Sequence, residues 1–204
     1  MSDYRNRRLL RFQNGSGDVV VDNVDIGPLF CSPSRVLYVV SWDGRTLQKL
    51  VGSTLETVIA SESLPPDMQF SAYRVFVTKE EAIYLLDTLI LNEHRRILCI
   101  NPAESLEPVV VGQIPTEGRS FLTDLFVTDG GTIYVADFIQ RKVFAFHPSS
   151  PTFTDVLQCP DGLQPWALLV QDRSLYVSMV TPQVNGERSG KLYEYLLPPE
   201  LQLH

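Results

Sequence analysis

An all-β fold, a β-propeller of four-stranded antiparallel blades, is the class that three features of the sequence predict. A Tyr-centred apolar tetrapeptide returns along the 204 residues at near-constant spacing. A short apolar strand precedes each copy and further strands follow it, so each period of about 40 to 50 residues holds roughly four strands. The clearest such unit, Leu125–Leu157, nowhere sustains the spacing of apolar residues that a helix needs.

The clearest unit is Leu125–Leu157. Leu125–Thr128 is a first strand, and Asp129-Gly130-Gly131 is a tight turn of residues that accept positive φ. Ile133–Ala136 is a second strand, rich in β-branched and aromatic residues. Phe138–Lys142 is a polar connection, Val143–Phe146 a third strand and Phe153–Leu157 a fourth. These four strands are expected to form one sheet in meander order. Tyr38, Tyr84, Tyr134 and Tyr176 centre the second strands and lie 46, 50 and 42 residues apart. Their first strands are Leu29-Phe30-Cys31, Val75-Phe76-Val77, Leu125-Phe126-Val127 and Ala167–Val170. Third strands are expected at Leu47–Leu50, Ile97–Ile100, Val143–Phe146 and Leu192–Leu196. Fourth strands are expected near Leu55–Ala60, Leu106–Val111 and Phe153–Gln158. The chain thus reads as one propeller domain, 1–204. It has full blades at 28–60, 73–111 and 123–158 and partial blades at 1–23 and 166–197, about five blades or part-blades in all. With both terminal pieces short of strands, an incomplete ring is expected, part of a longer six-bladed protein; an unusual five-bladed closure is the alternative.

Composition removes several classes. The net charge of −7 argues against a whole-surface nucleic-acid binder. No apolar run approaches the ~18 residues of a membrane span, and the basic start, Met1–Phe12, lacks the apolar stretch of a signal peptide. Cys31, Cys99 and Cys159 are odd in number and far apart; they read as buried small apolar residues in a reducing compartment, the cytoplasm. His94, His147 and His204 make no metal-binding pair, and no cofactor fingerprint appears.

Ile133-Tyr134-Val135-Ala136-Asp137, followed five residues on by Val143-Phe144-Ala145-Phe146, resembles the core of an NHL repeat. Ser2–Phe12 aligns with Ala136–Phe146 without a gap. The other copies depart: Ser41 replaces the strand-end Asp, and the 88–96 and 179–190 connections are longer. Propellers of the SMP-30/gluconolactonase type are near cousins. The resemblance implies that connections between second and third strands share one face.

Those connections are Tyr4–Arg8, Trp42–Thr46, Thr88–Arg96, Phe138–Lys142 and Met179–Gly190. They carry nine of the seventeen Lys and Arg residues, opposed only by Asp43, Glu93 and Glu187. Arg5, Arg7, Trp42, Arg45, Arg95, Arg141 and Arg188 are the candidate binding residues, since exposed aromatics beside arginine suit recognition. The partner expected is an acidic protein or other anionic ligand. The plainer alternative pairs each Arg with its own strand-end Asp, Asp3 with Arg7 and Asp137 with Arg141. Trp166 is expected in a packing role. No catalytic residue and no metal ligand can be nominated, because no nucleophile elbow, phosphate loop or paired carboxylates stand out. A non-catalytic binding scaffold is therefore the functional expectation; the competing class is a metal-dependent hydrolase or lactonase of the SMP-30 type.

Overall fold

The computed structural model describes residues 1–88, 95–114, 120–181 and 189–198. Eighteen strands among them form five separate antiparallel sheets, the blades of a propeller fold. The chain falls into two compact units, Met1–Val110 and Val111–His204. No helix among the described residues is long and apolar enough to cross a membrane.

The first unit holds three blades. Blade one is β1 (Ser2–Asp3), β2 (Arg8–Gln13) and β3 (Ser16–Val21). Blade two is β4 (Leu29–Cys31), β5 (Leu37–Val40), β6 (Thr46–Val51) and β7 (Thr54–Ala60). Blade three is β8 (Ala72–Val77), β9 (Ile83–Asp87), β10 (Arg96–Asn101) and β11 (Ser105–Gln113), whose last residues cross into the second unit. In the second unit, blade four is β12 (Leu122–Val127), β13 (Ile133–Asp137), β14 (Lys142–His147) and β15 (Ser150–Gln158). Blade five is β16 (Gln164–Gln171), β17 (Ser174–Val180) and β18 (Gly190–Leu196). Every blade is a meander, as expected for blade four.

The repeat register holds in the pairing. Phe30 lies opposite Tyr38, Phe76 opposite Tyr84 and Phe126 opposite Tyr134; in blade five Leu169 takes the place opposite Tyr176. Tyr38 and Tyr134 are buried, whereas Tyr84 and Tyr176 are half-buried. Turn chemistry sets the strand ends. Between β2 and β3, Asn14 (φ 51°) and Gly15 (φ 82°) both take the left-handed conformation that a two-residue hairpin turn demands.

Within each unit, apolar side chains of the inner strands pack against the neighbouring blade. In the first unit, Tyr38, Val40 and Leu47 of blade two pack with Val75, Val77, Ile83 and Leu85 of blade three. Leu9 of blade one packs with Ile26 and Val39. In the second unit, Tyr134, Val143 and Ala145 of blade four meet Val170, Leu175, Val177 and Met179 of blade five. Each such aliphatic side chain contributes about 1.5–3 kcal/mol by leaving water. One sequence expectation fails here: of the three cysteines only Cys159 is buried, while Cys31 is exposed. Cys31 ends the three-residue β4, in which no residue is fully buried.

Candidate binding surface

In blades one and four the connection between second and third strands is organised by an acid at the end of the second strand. Asp137 is buried, and its Oδ1 accepts the backbone N–H groups of Ile139 (3.0 Å) and Gln140 (2.9 Å). It also accepts from the Phe121 N–H at 3.3 Å, while Oδ2 takes the Ser120 hydroxyl. One carboxylate thereby shapes its own turn and holds the incoming first strand. Asp87 likewise holds the incoming first strand of blade three, accepting the Ser71 N–H at 2.9 Å. In blade two Ser41 stands at that position, and the work is divided: its hydroxyl donates to Asp43 at 2.6 Å and accepts the Thr46 N–H at 2.9 Å. Partial burial pushes the Asp43 carboxyl up, but hydrogen bonds from the Ser41 hydroxyl and the Arg45 N–H outweigh it and leave the group below its ordinary value.

The ion pairs at these strand ends are not the expected ones. Asp3 pairs with Arg8 at 2.8 Å rather than with Arg7, and Asp87 pairs with Arg96 at 2.8 Å. Asp137 makes none of its described bonds to Arg141. The reason is register: the first residue of the third strand lies directly across from the last residue of the second, Arg8 from Asp3, Arg96 from Asp87 and Lys142 from Asp137. Arg8, then Asn6, hold the Asp3 carboxyl below its ordinary value through hydrogen bonds. Arg96 is buried, and its other nitrogens donate to the carbonyls of Asp67 (2.6 Å) and Gln69 (2.5 Å).

The arginines that precede the third strands share a backbone role. The carbonyls of Arg7, Arg45 and Arg141 accept the N–H groups of Val24, Ser61 and Cys159, each just beyond the fourth strand or, in blade one, beyond β3. Arg7 (φ 55°) and Arg141 (φ 57°) both sit in the left-handed region. Their side chains differ. The Arg141 guanidinium donates to the carbonyls of Leu163 (3.2 Å), Cys159 (3.4 Å) and Pro160 (2.6 Å) and pairs with Asp161. It is committed to the connection between blades four and five. Arg7 is exposed, and among the described residues its guanidinium has no hydrogen-bond partner.

Around Arg7 the first unit builds an aromatic platform. The Tyr4 and Trp42 rings stack face to face, 5.1 Å between centroids and 9° between planes. Both are exposed, at 49% and 65%. The Arg5 guanidinium carbon lies 6.0 Å from the Tyr4 ring centroid. Tyr4, Arg5, Arg7, Asp25 and Trp42 line one shallow open depression. Arg45 is exposed on the blade-two connection, and Arg95 is half-buried beside Arg96. Arg188 lies outside the described residues. In the second unit, Phe138 stands edge-on between Phe121 (6.2 Å) and Trp166 (5.9 Å), so Trp166 serves in packing. Tyr4 and Asp25 carry no signal in the sequence that singles them out; Tyr4 joins the site only because blades one and two bring it onto Trp42. Among the described residues no three His, Cys, Asp or Glu side chains gather in a way that could hold a metal ion.

No protein-family model matches the sequence, and no curated protein does. Solved structures do resemble it in fold. A luciferin-regenerating enzyme superposes with a TM-score of 0.66 at 14% identity, over 98% of this chain and 74% of that one. A catalytically inactive virginiamycin B lyase from Staphylococcus aureus, with quinupristin, gives 0.62 at 12% identity over 93% of this chain and 64% of the lyase. YCF48 bound to D1 peptide gives 0.59 at 11% identity over 79% of this chain and 51% of its own. The chain therefore spans between half and two thirds of the lyase and YCF48. At such identities the likeness is one of fold: a β-propeller.

Proposed function

We propose that the chain is a non-catalytic binding scaffold of the NHL-like propeller type, working in a reducing compartment, the cytoplasm. Its partner is an acidic protein segment, held on the first unit by Arg5, Arg7 and Arg45 beside Trp42. The observation that carries this reading is the exposed Tyr4–Trp42 stack flanked by two arginines. Large aromatic faces left in water together with guanidinium groups favour recognition, because a partner that covers them gains apolar burial and charge-assisted hydrogen bonds at once. Only Asp25 opposes the cations in that depression. The unpaired state of all three cysteines fits a reducing setting.

The test uses a fluorescein-labelled Glu/Tyr copolymer as probe and anisotropy as readout. Binding is expected to weaken steeply with added salt, since exposed charges are screened beyond a Debye length of about 10 Å at 0.1 M. Arg5→Glu with Arg7→Glu should lower affinity at least about tenfold without shifting the unfolding midpoint. Equal affinity in that double variant, or salt-insensitive binding, overturns the assignment. A rise in thermal midpoint with calcium or manganese would favour the hydrolase reading instead, since an ion that binds only the folded state stabilises it.

A further inference from the structure

Blade five differs from blades two, three and four in having three strands among its described residues, so that the third strand, β18, lies at the edge of its sheet. The path of the chain explains why β18 is not followed at once by a fourth. Leu197 is buried, its N–H donates to the Arg173 carbonyl at 2.9 Å, and Pro198 follows. Through Leu197 the backbone thus keeps the line of the strand instead of reversing at once as it does after β6 and β14.

The ladder fixes which way the backbone of β18 points. The Leu197 N–H bonds to the Arg173 carbonyl, and the Thr181 N–H bonds to the Ser189 carbonyl, also at 2.9 Å. Pairing runs unbroken between them, from Ser174 opposite Leu196 to Val180 opposite Gly190. In an antiparallel pair the residues alternate between facing the partner strand and facing away. The odd-numbered residues of β18 therefore bond to β17. Leu192, Glu194 and Leu196 present their N–H and C=O groups to the open edge.

The side chains of those same residues are unusual for an edge. Leu192 is 71% exposed and Leu196 82%. Sheet edges are ordinarily blunted by bulges, prolines or inward charges, and β18 pairs with β17 without a bulge. Beside it, Ala167, Leu169, Tyr176, Ser178 and Leu192 line an open groove of about 270 Å³. In blade four the equivalent residues Tyr134, Val143 and Ala145 are buried against blade five.

We propose that β18 is a strand-addition site: an extended segment of a partner protein lies antiparallel along it and supplies a fourth strand to blade five. The face of β18 defines the segment's chemistry. Residues opposite Leu192 and Leu196 share their side of the sheet and are apolar. The residue opposite Glu194, whose carboxylate also accepts the Ser174 and Tyr176 hydroxyls at 2.8 and 3.0 Å, is Lys or Arg. The pattern is apolar-x-cationic-x-apolar, with main-chain bonds giving affinity and the alternate side chains giving specificity. This site is independent of the acidic-segment surface on the first unit, and its partner carries the opposite charge.

The full chain would be titrated with a labelled peptide, Thr-Val-Thr-Lys-Thr-Val-Thr, while backbone hydrogen exchange is read residue by residue. Saturable binding is expected, with exchange at Leu192, Glu194 and Leu196 slowing about tenfold or more, and little change at Tyr193 and Tyr195, which are already bonded. Leu192→Pro removes one outward donor and keeps the bonds to β17; it should weaken the peptide by about tenfold. Replacing the central Lys of the peptide by Glu should weaken it similarly. Equal binding of the Glu peptide overturns the proposal, and so does slowing that ignores the alternation. So does protection at the three amides before any peptide is added; its dependence on protein concentration would then show whether a second copy or the chain itself occupies the edge.

Discussion

The turns Tyr4–Arg8 and Phe138–Lys142 are copies of one repeat element, and they have been put to different uses. Both end in an acid-to-base step across a hairpin, and both place an arginine, Arg7 or Arg141, in the left-handed region with its carbonyl holding the chain that leaves the blade's last strand. In blade four the acid is buried and the arginine is spent on loop carbonyls. In blade one the acid is partly open to water and the arginine stands free beside an aromatic stack. The difference teaches that a repeated backbone role does not fix a side chain's task. What decides it is whether neighbouring carbonyls are within reach of the guanidinium.

The largest way to break the comparison is at the acids. Asp137→Ala leaves the N–H groups of Phe121, Ile139 and Gln140 without their acceptor in a buried site, and should cost about 3 kcal/mol in chemical denaturation. Asp3→Ala should cost far less, because water can replace what is lost. Equal costs would mean that the two turns are equally buried in solution. The arginines come next. Arg141→Ala should cost about 1–2 kcal/mol by freeing the clasped connection, whereas Arg7→Ala should leave stability within ~0.5 kcal/mol. Arg7→Gly sharpens this further. It relieves the left-handed backbone while the guanidinium it removes holds no hydrogen bond to the described residues, and it should stabilise by about 0.5 kcal/mol; Arg141→Gly should still be a net loss.

The smallest effect is on acid stability. The Asp3 carboxyl is held below its ordinary value when folded, so the folded state binds fewer protons there. Its contribution is present above about pH 4 and disappears as pH falls through the lowered folded value. Asp3→Asn should therefore flatten the acid limb of a stability–pH profile slightly. At the alkaline end the sign reverses. Burial pushes the Tyr134 hydroxyl up to about 12, so stability should fall as pH rises from about 10 towards 12, and Tyr134→Phe should reduce that slope.

The strands are legible in the sequence because burial leaves a mark at every second residue. The recurring Phe opposite Tyr, seen at Phe30, Phe76 and Phe126, is that mark in sequence form. Fourth strands are equally plain, and so is the Asp129-Gly130-Gly131 turn, where Gly131 takes φ 82°. The Asp3 ion pair lies one residue beyond the expected one, because a hairpin pairs charges by register and not by proximity along the chain. A base five residues after the strand-end Asp, as Arg8 follows Asp3, is the available signal. The Arg141 clasp leaves none, since its acceptors are mostly backbone carbonyls, which every residue possesses. Nor can the Tyr4–Trp42 stack be read, since its partners are brought together only by the packing of two blades.

Trp42 and Trp166 are the only tryptophans in the chain, and one falls in each compact unit. One stacks in water on Tyr4; the other is half-buried against Phe138. Indole emission depends on such surroundings, so the molecule carries two built-in optical reporters with different environments. With Trp42→Phe the emission follows the melting of Val111–His204, and with Trp166→Phe that of Met1–Val110. Superimposed denaturation curves from the two variants identify a single cooperative unfolding event, and displaced curves rank the two halves by stability.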